Sequence, residues 1–149
     1  MDDIKPLGYL LGLPFRVFIN QVAVEFRNRE IELTFEQFVM LRLIHEDENI
    51  IQQDIANRLQ KDKSIIVRQM NDLFEQNLVV SQTNRDDKRK KNLALTPEGI
   101  EKMNRLSDLV LDVSKKLLAG VEKNDYQAFL RVLNKIQENG NLADESENL

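Results

Sequence analysis

The succession of elements between residues 52 and 95 constrains the fold of this chain most. Gln52–Leu59 has the periodicity of a short helix, and a tight connection leads from it to a second helix predicted over Lys63–Gln76. Leu78–Thr83 and Asn92–Leu95 are rich in strand-forming residues and flank a polar, charged segment, which predicts a β-hairpin. Two short helices followed directly by a hairpin are the pattern of a winged helix-turn-helix.

Two helices are predicted before this lobe. Leu7–Arg29 carries apolar residues at helical spacing, and Pro14 is expected to kink that helix or to end its first segment. The run Thr34–Gln37 matches a capping box, which predicts a second helix reaching about Glu46. Ile50–Ile51 suggests a short strand. The apolar stripe of the first helix consists of Leu11, Phe15, Phe18, Val22 and Phe26.

Two more helices are predicted after the lobe. Thr96-Pro97-Glu98 has the pattern of a helix N-terminus, and the helix that starts there is expected to reach about Ala119. Asn124 is expected to cap a last helix, which Gly140 stops. The stripe of the longer helix has the three-four spacing of a helix-packing seam and consists of Met103, Leu106, Val110, Val113 and Leu117.

The second short helix has an apolar and a polar side. On a wheel of about 100° per residue, its core side holds Ile66, Met70, Leu73 and Asn77. The opposite side presents groups that suit a DNA major groove, where Arg pairs with guanine and an apolar group contacts a thymine methyl. The DNA contacts predicted in and before this helix are Lys61, Lys63, Ser64, Val67 and Arg68.

The hairpin tip carries most of the local positive charge. Residues 51–92 hold nine Lys or Arg against six Asp or Glu, so this segment has a net charge of +3 in a chain of net charge -4. Such a patch attracts phosphates, since charges beyond about 10 Å are screened. An Arg at a hairpin tip can enter a minor groove, and a neighbouring acid can orient it. The contacts predicted in the wing are Arg85, Asp87, Lys88, Arg89, Lys90 and Lys91.

Composition argues against most catalytic and metal-binding chemistry. The chain has no Cys and one His, His45, so we expect no disulfide, thiolate site or histidine metal cluster. It also lacks a glycine-rich phosphate loop, and we predict a protein that is not an enzyme and needs no cofactor or metal. Neither a run of about 18 apolar residues nor a signal-peptide pattern is apparent, which predicts a cytoplasmic protein without a transmembrane helix.

The predicted fold is mostly α with a small β-hairpin wing, a winged helix-turn-helix flanked by N- and C-terminal dimerisation helices. Residues 1–33 and 97–140 are assigned to the helical dimerisation region, because apolar stripes at both chain ends need a partner surface. Residues 34–96 are assigned to the DNA-binding lobe. Residues 141–149 are polar and acidic and are expected to form a disordered tail.

These elements resemble the MarR family of bacterial transcription regulators. Leu33–Phe38 looks like the family's entry to its second helix, and Ile51–Leu59 is similar to its Q-x-x-L-A-x-x-L segment. The most specific likeness is Asp87–Arg89 followed by Leu95–Gly99, which resembles the family's wing motif and the start of the next helix. The resemblance spans roughly residues 7–136.

This resemblance implies a homodimer, built by the first and the last two helices, that binds a pseudo-palindromic operator, usually as a repressor. It implies release by a small, commonly aromatic acid, ligand. It further implies that Arg89 is the wing residue at the minor groove and that Asp87 orients it. Asn77 stands where the family usually has Gly, which is tolerable because Asn accepts positive φ. Ile65–Ile66 is bulkier than the family's usual Ser/Thr-rich start.

Two other classes of function compete with a DNA-binding regulator. An enzyme lacks material for a nucleophile–base pair. A winged-helix protein-interaction module without DNA binding is the main alternative, and salt-dependent duplex binding distinguishes the two. For a small-molecule effector the candidate ligand contacts are Phe15, Phe18 and Phe38, although each is more simply explained as core or dimer interface.

Overall fold

The computed structural model describes residues 4–147, with side chains from residue 4 to residue 141. It contains six helices and one two-stranded antiparallel sheet within the described residues, so the predicted winged-helix fold class is confirmed. The elements are α1 (Leu7–Asn28), α2 (Phe35–Glu46), α3 (Gln52–Leu59), α4 (Lys63–Glu75), β1 (Val79–Thr83), β2 (Lys91–Leu95), α5 (Pro97–Leu117) and α6 (Lys123–Glu147).

The chain divides into two compact units, of which the larger ends at Ser114 and the smaller begins at Lys115. The larger unit contains the winged helix. In it α3 packs against α4, and α2 contacts α1, α4 and β2. Its most completely buried side chains are Val22, Met40, Leu41, Ile50, Ile55, Ile66, Met70, Leu73, Leu93 and Leu106. Burying side chains of this size contributes about 1.5–3 kcal/mol each, which fixes the helices around one core.

The N-terminus of α2 confirms the predicted capping box. The backbone N–H of Gln37 donates to Thr34 Oγ1 at 3.1 Å, and the N–H of Thr34 donates to Gln37 Oε1 at 3.0 Å. Asp62 occupies the predicted cap position of α4, but its side chain makes no capping hydrogen bond. The Thr34 side chain therefore caps α2, whereas the Asp62 side chain does not cap α4.

This difference gives a matched test of the two caps. Thr34→Ala is expected to lower the free energy of unfolding by about 1 kcal/mol, because it leaves a helix N–H of α2 without its acceptor. Asp62→Ala should cost about 0.5 kcal/mol or less, since only a charge near the start of α4 is lost. Urea denaturation of both variants measures the difference, and equal costs would contradict it.

The wing is an antiparallel hairpin in which Val79 pairs with Leu95 and Thr83 pairs with Lys91. Ile50 and Ile51 do not form the strand we expected. The carbonyl of Ile50 accepts one hydrogen bond from the β2 strand, from the N–H of Leu93 at 2.9 Å. Helix α3 begins two residues later, at Gln52. The helix start leaves too little extended chain for a strand.

The junction of α4, β1 and α5 is held by polar contacts. Asn77 has φ of 58°, the left-handed conformation that the sequence allowed, but it is exposed and does not belong to the core side of α4 as predicted. The reason is that α4 has already ended at Glu75. Thr96 Oγ1 donates to the Asn77 carbonyl at 2.7 Å and accepts the N–H of Gly99 at 2.9 Å. The predicted start of α5 is thus confirmed.

Two predicted helix boundaries, at Asn124 and Gly140, are wrong. Pro14 lies inside α1, which is continuous from Leu7, so it does not end a first segment, and the alternative kink stays a prediction. Asn124 is not a cap, because the first bond of α6 runs from the N–H of Tyr126 to the carbonyl of Glu122. Gly140 does not stop α6, since a helix-interior glycine costs only about 1 kcal/mol.

The predicted disordered tail, residues 141–149, is therefore helical as far as Glu147. Its residues 142–149 lie outside those with described side chains, and 148–149 lie outside the described residues altogether. The assignment of 1–33 and 97–140 to dimerisation and of 34–96 to DNA binding stays a prediction.

Helix α1 is more apolar than the prediction of no transmembrane helix implied. By length and composition it could cross a membrane, although scattered polar residues interrupt any continuous apolar run. The core helix of a soluble protein and a signal sequence meet the same criterion. Val22 and Phe26 lie in the core, whereas much of the N-terminal half is exposed, including Leu7, Leu10, Leu13, Phe15 and Val17.

Candidate nucleic-acid interface

Helix α4 has the two sides that its sequence predicts. Ile66, Met70 and Leu73 are buried. Lys63, Ser64 and Arg68 are exposed, and Val67 is half-buried beside them. Because the core fixes one side of the helix, the basic and hydroxyl groups are held outward on the other.

Polar contacts with the start of α2 hold α4 in place. Gln37 is buried, and its Nε2 donates to the carbonyl of Gln69 at 3.3 Å and to Asp72 Oδ2 at 3.4 Å. Gln69 Nε2 in turn donates to Glu36 Oε1 at 2.9 Å. The sequence identified Gln37 only as part of the capping box. Its second amide contact could not be predicted, because the partner lies 32 residues away along the chain.

The turn between α3 and α4 carries Lys61. Its Nζ lies 3.7 Å from Glu36 Oε2, so this cation is partly neutralised by an acid of α2. Gln60, just before it, adopts φ of 51°, which makes the turn tight. Lys61 therefore stands at the entrance to α4 with a side chain that is still exposed.

The wing tip is organised around Asp87 and Arg89. Asp87 Oδ1 accepts the Arg89 backbone N–H at 3.0 Å and its Nε at 3.1 Å, and Asp87 Oδ2 accepts Nη2 at 3.4 Å. The Arg89 side chain is nevertheless 90% exposed. The guanidinium is held at its inner edge by the carboxylate while most of its surface faces solvent.

The charge of Asp87 is stabilised in this arrangement. Hydrogen bonds from the Arg89 side chain and backbone, with a smaller contribution from Lys90, hold the pKa of Asp87 below its ordinary value of 3.8, although desolvation opposes them. This contribution to the folded wing is present above the ordinary pKa and is lost as pH falls through the lowered one. At neutral pH Asp87 is therefore ionised and able to hold Arg89.

The other predicted wing residues surround this pair. Arg85, Lys88 and Lys90 are exposed, and Lys91 Nζ donates to Thr83 Oγ1 at 3.2 Å across the hairpin. Sequence reasoning missed Asn84, whose side chain bonds to the backbone of the tip. Asparagine is typical of turns, and that signal could have identified it.

The three phenylalanines proposed as ligand contacts belong to one aromatic cluster. Phe18 lies 5.0 Å from Phe35 between ring centroids, and Phe35 lies 6.0 Å from Phe38. Phe15 joins the cluster at 6.3 Å from Phe18 but is 57% exposed. Phe35, which the sequence analysis did not propose, connects the other three rings.

A cavity of about 320 Å³ lies beside this cluster, between α1 and the start of α2. None of Phe15, Phe18 and Phe38 lines it, and their role in ligand binding stays a prediction. Its walls are mostly apolar, with Arg27 and Thr34 as the polar groups. The lining residues are Ile19, Ala23, Phe26, Arg27, Ile31, Leu33, Thr34 and Phe35.

Comparison with known proteins agrees with this geometry. The family model described as MarR family matches residues 33–91, the segment that runs from before α2 to the first residue of β2. A crystal structure of MarR superposes with a TM-score of 0.83 at 21% identity and covers 98% of each chain. Residues 33–91 thus have the sequence pattern of the MarR family model, and the chain has the MarR fold over nearly its whole length.

Other MarR-type structures share the fold at similar identity. An uncharacterised SlyA-like transcription regulator from Listeria monocytogenes has a TM-score of 0.80 at 24% identity and covers 95% of this chain and 92% of its own. A Mycobacterium tuberculosis MarR family protein in complex with salicylic acid has a TM-score of 0.73 at 22% identity, covering 91% and 99% respectively. The MarR fold thus extends beyond the matched segment to the flanking helices.

Proposed function

We propose that this chain is a MarR-family, sequence-specific, duplex-DNA-binding transcription regulator that acts as a homodimer. The observation that carries the proposal is the Asp87–Arg89 pair, which presents an oriented, exposed guanidinium at the tip of a basic wing. The wing follows a helix whose outward side carries Lys63, Ser64 and Arg68. The exposed cations of the tip favour DNA over a protein-interaction module, because they can neutralise phosphates.

Helix α4 is the part proposed to read the major groove. Arg68 can form paired hydrogen bonds with a guanine edge, and Val67 can contact a thymine methyl. Ser64 can bond to a base or a phosphate. Lys61 lies before the start of α4 and Lys63 is its first residue. The positive end of the helix dipole there adds to their attraction for phosphate.

The wing is proposed to bind the adjacent minor groove. Arg89 enters the groove, held by Asp87, since a narrow minor groove concentrates negative potential. Arg85, Lys88, Lys90 and Lys91 contact phosphates on either side. Their exposure leaves them available to displace counterions, which is the main source of affinity for a backbone contact.

Exposed apolar side chains support the homodimer. In α1 they include Leu10, Leu13 and Phe15, and in α6 they include Phe129 and Val132. Both helices lie outside the winged-helix segment of the sequence, and we propose that a second copy of the chain covers these exposed side chains. A two-fold dimer then presents two copies of α4, one to each half of a pseudo-palindromic operator.

We further propose that the protein is a cytoplasmic repressor released by a small aromatic ligand. A repressor acts by occupying its operator. The cavity between α1 and α2 has the volume for a ring-sized molecule, and Arg27 supplies a positive charge suited to an acid. The M. tuberculosis relative in complex with salicylic acid supports a ligand of this class.

Selection of bound sequences from random DNA duplexes tests the function. The recovered duplexes are expected to share an inverted repeat whose half-sites lie about one helical turn apart, because two copies of α4 read them. An enriched single half-site would contradict the dimer. Recovery of unenriched sequence, or of no duplex at low salt, would overturn the regulator and favour a protein-interaction module.

A further inference from the structure

Two asparagines face each other across the hairpin at the base of the wing tip. Asn84 follows β1 and Asn92 lies in β2, and both are half-buried. Asn84 Nδ2 donates to Asn92 Oδ1 at 3.2 Å. The backbone N–H of Asn84 also donates to the carbonyl of Lys90 at 3.0 Å, which closes the tip.

The side-chain oxygen of Asn84 organises the first half of the tip. Asn84 Oδ1 accepts the backbone N–H of Asp86 at 2.8 Å and that of Asp87 at 3.0 Å. Asp87 then repeats the pattern toward Arg89, whose N–H and Nε both donate to Asp87 Oδ1. A continuous series of hydrogen bonds therefore runs from Asn92 in the sheet, through Asn84 and Asp87, to the guanidinium of Arg89.

We propose that Asn84 is the positioning residue that fixes Arg89 for DNA binding. The inference rests on the proposed function and deepens it by identifying what prearranges the wing. The amide uses both of its ends here, because Oδ1 accepts two N–H groups while Nδ2 donates to Asn92. A carboxylate lacks the donor, and alanine lacks both groups.

The advantage to the protein is a smaller loss of entropy on binding. The Arg89 side chain and the backbone that carries it would otherwise have to be ordered by DNA itself. Immobilising rotamer-rich side chains at an interface is a cost that prior order removes. We therefore expect Asn84→Ala to weaken duplex binding by about three- to tenfold without removing any DNA contact.

A double-mutant cycle tests whether Asn84 acts through Arg89. Asn84→Ala is measured in the wild-type and Arg89→Ala backgrounds, with a duplex recovered by selection at one fixed salt concentration. The loss is expected in the wild-type background and should fall below about twofold in the Arg89→Ala background. Asn92→Ala should show a smaller loss with the same dependence. Gln82→Ala, an exposed amide of the same hairpin, serves as the matched control and should bind normally.

Equal losses in both backgrounds, or no loss, would overturn the proposal. If Arg89→Ala itself binds like the wild type, the proposed role of the wing fails, and nuclear magnetic resonance of the free protein decides the inference separately. In that measurement the Arg89 Nε–H group is expected to be ordered in the wild type and mobile in Asn84→Ala. Unchanged order would contradict the proposal. Should Asn84→Ala fail to fold, the same comparison on Asn92→Ala decides it.

Discussion

Replacing Gly99 with alanine is expected to lower the free energy of unfolding by about 3 kcal/mol, the largest effect expected for alanine at any of the five glycines. A Cβ at this position would lie 2.0 Å from the carbonyl oxygen of Leu78 and 3.0 Å from its carbonyl carbon. Both atoms belong to the backbone, so no side chain can rotate away. The start of α5 would have to move away from Leu78, the residue before β1.

That movement would break neighbouring contacts as well. The carbonyl of Leu78 accepts the N–H of Thr96 at 3.0 Å, and Thr96 Oγ1 caps α5 through the N–H of Gly99. Both bonds depend on the close approach that Gly99 permits. The substitution therefore affects the connection between the wing and α5 together with the helix cap.

Thermal or urea unfolding measures the loss, with Gly140→Ala as the matched control. Gly140 also lies inside a helix, but a Cβ there would meet no atom within 4 Å. Its replacement should stabilise the protein by up to about 1 kcal/mol through helix propensity. A Gly99→Ala variant as stable as the wild type would show that the wing and α5 are not packed as described.

Replacing Arg89 with alanine is expected to weaken duplex binding by about tenfold to hundredfold. The substitution removes a guanidinium at the wing tip and leaves Asp87 without its main partner. An unpaired carboxylate beside DNA phosphates adds repulsion to the lost contact. The effect on folding should be small, because the Arg89 side chain is exposed.

Arg42→Ala is the matched control for charge. Arg42 is exposed on α2, outside the proposed interface, and pairs with Glu46 at 2.7 Å, as Arg89 pairs with Asp87. Both variants lose one positive charge per subunit and leave one acid unpaired. Fluorescence anisotropy on a selected duplex should give near wild-type affinity for Arg42→Ala. Similar losses for both variants would mean that net charge, and not the wing, determines binding.

Features that depend on neighbours along the chain could be predicted from the sequence. The helical spacing of apolar residues predicted α3 and α4. The capping patterns at Thr34 and Thr96 predicted where α2 and α5 begin. The local basic excess located the wing cations in a chain whose net charge is negative. These signals are local, because helix periodicity and caps involve residues three or four apart.

Features that depend on the folded arrangement could not be predicted. The contact of Gly99 with Leu78 and the amide bridge from Gln37 to Gln69 join residues far apart in sequence. The strand expected at Ile50 was lost to the start of α3. Helix α6 continues beyond Gly140, because the low helix propensity of one glycine does not outweigh the propensity of the residues around it.

The charge distribution limits where DNA can bind. Residues 51–92 carry a net charge of +3 in a chain of net charge -4, and they hold the exposed cations of the proposed interface. A salt series on the wild-type protein with a selected duplex tests this most directly. The logarithm of the association constant is expected to fall linearly and steeply with the logarithm of salt concentration, by about 10³-fold or more between 50 and 200 mM if six or more phosphates are contacted. Binding that is absent at low salt, or that does not change with salt, would contradict DNA binding through the wing and α4.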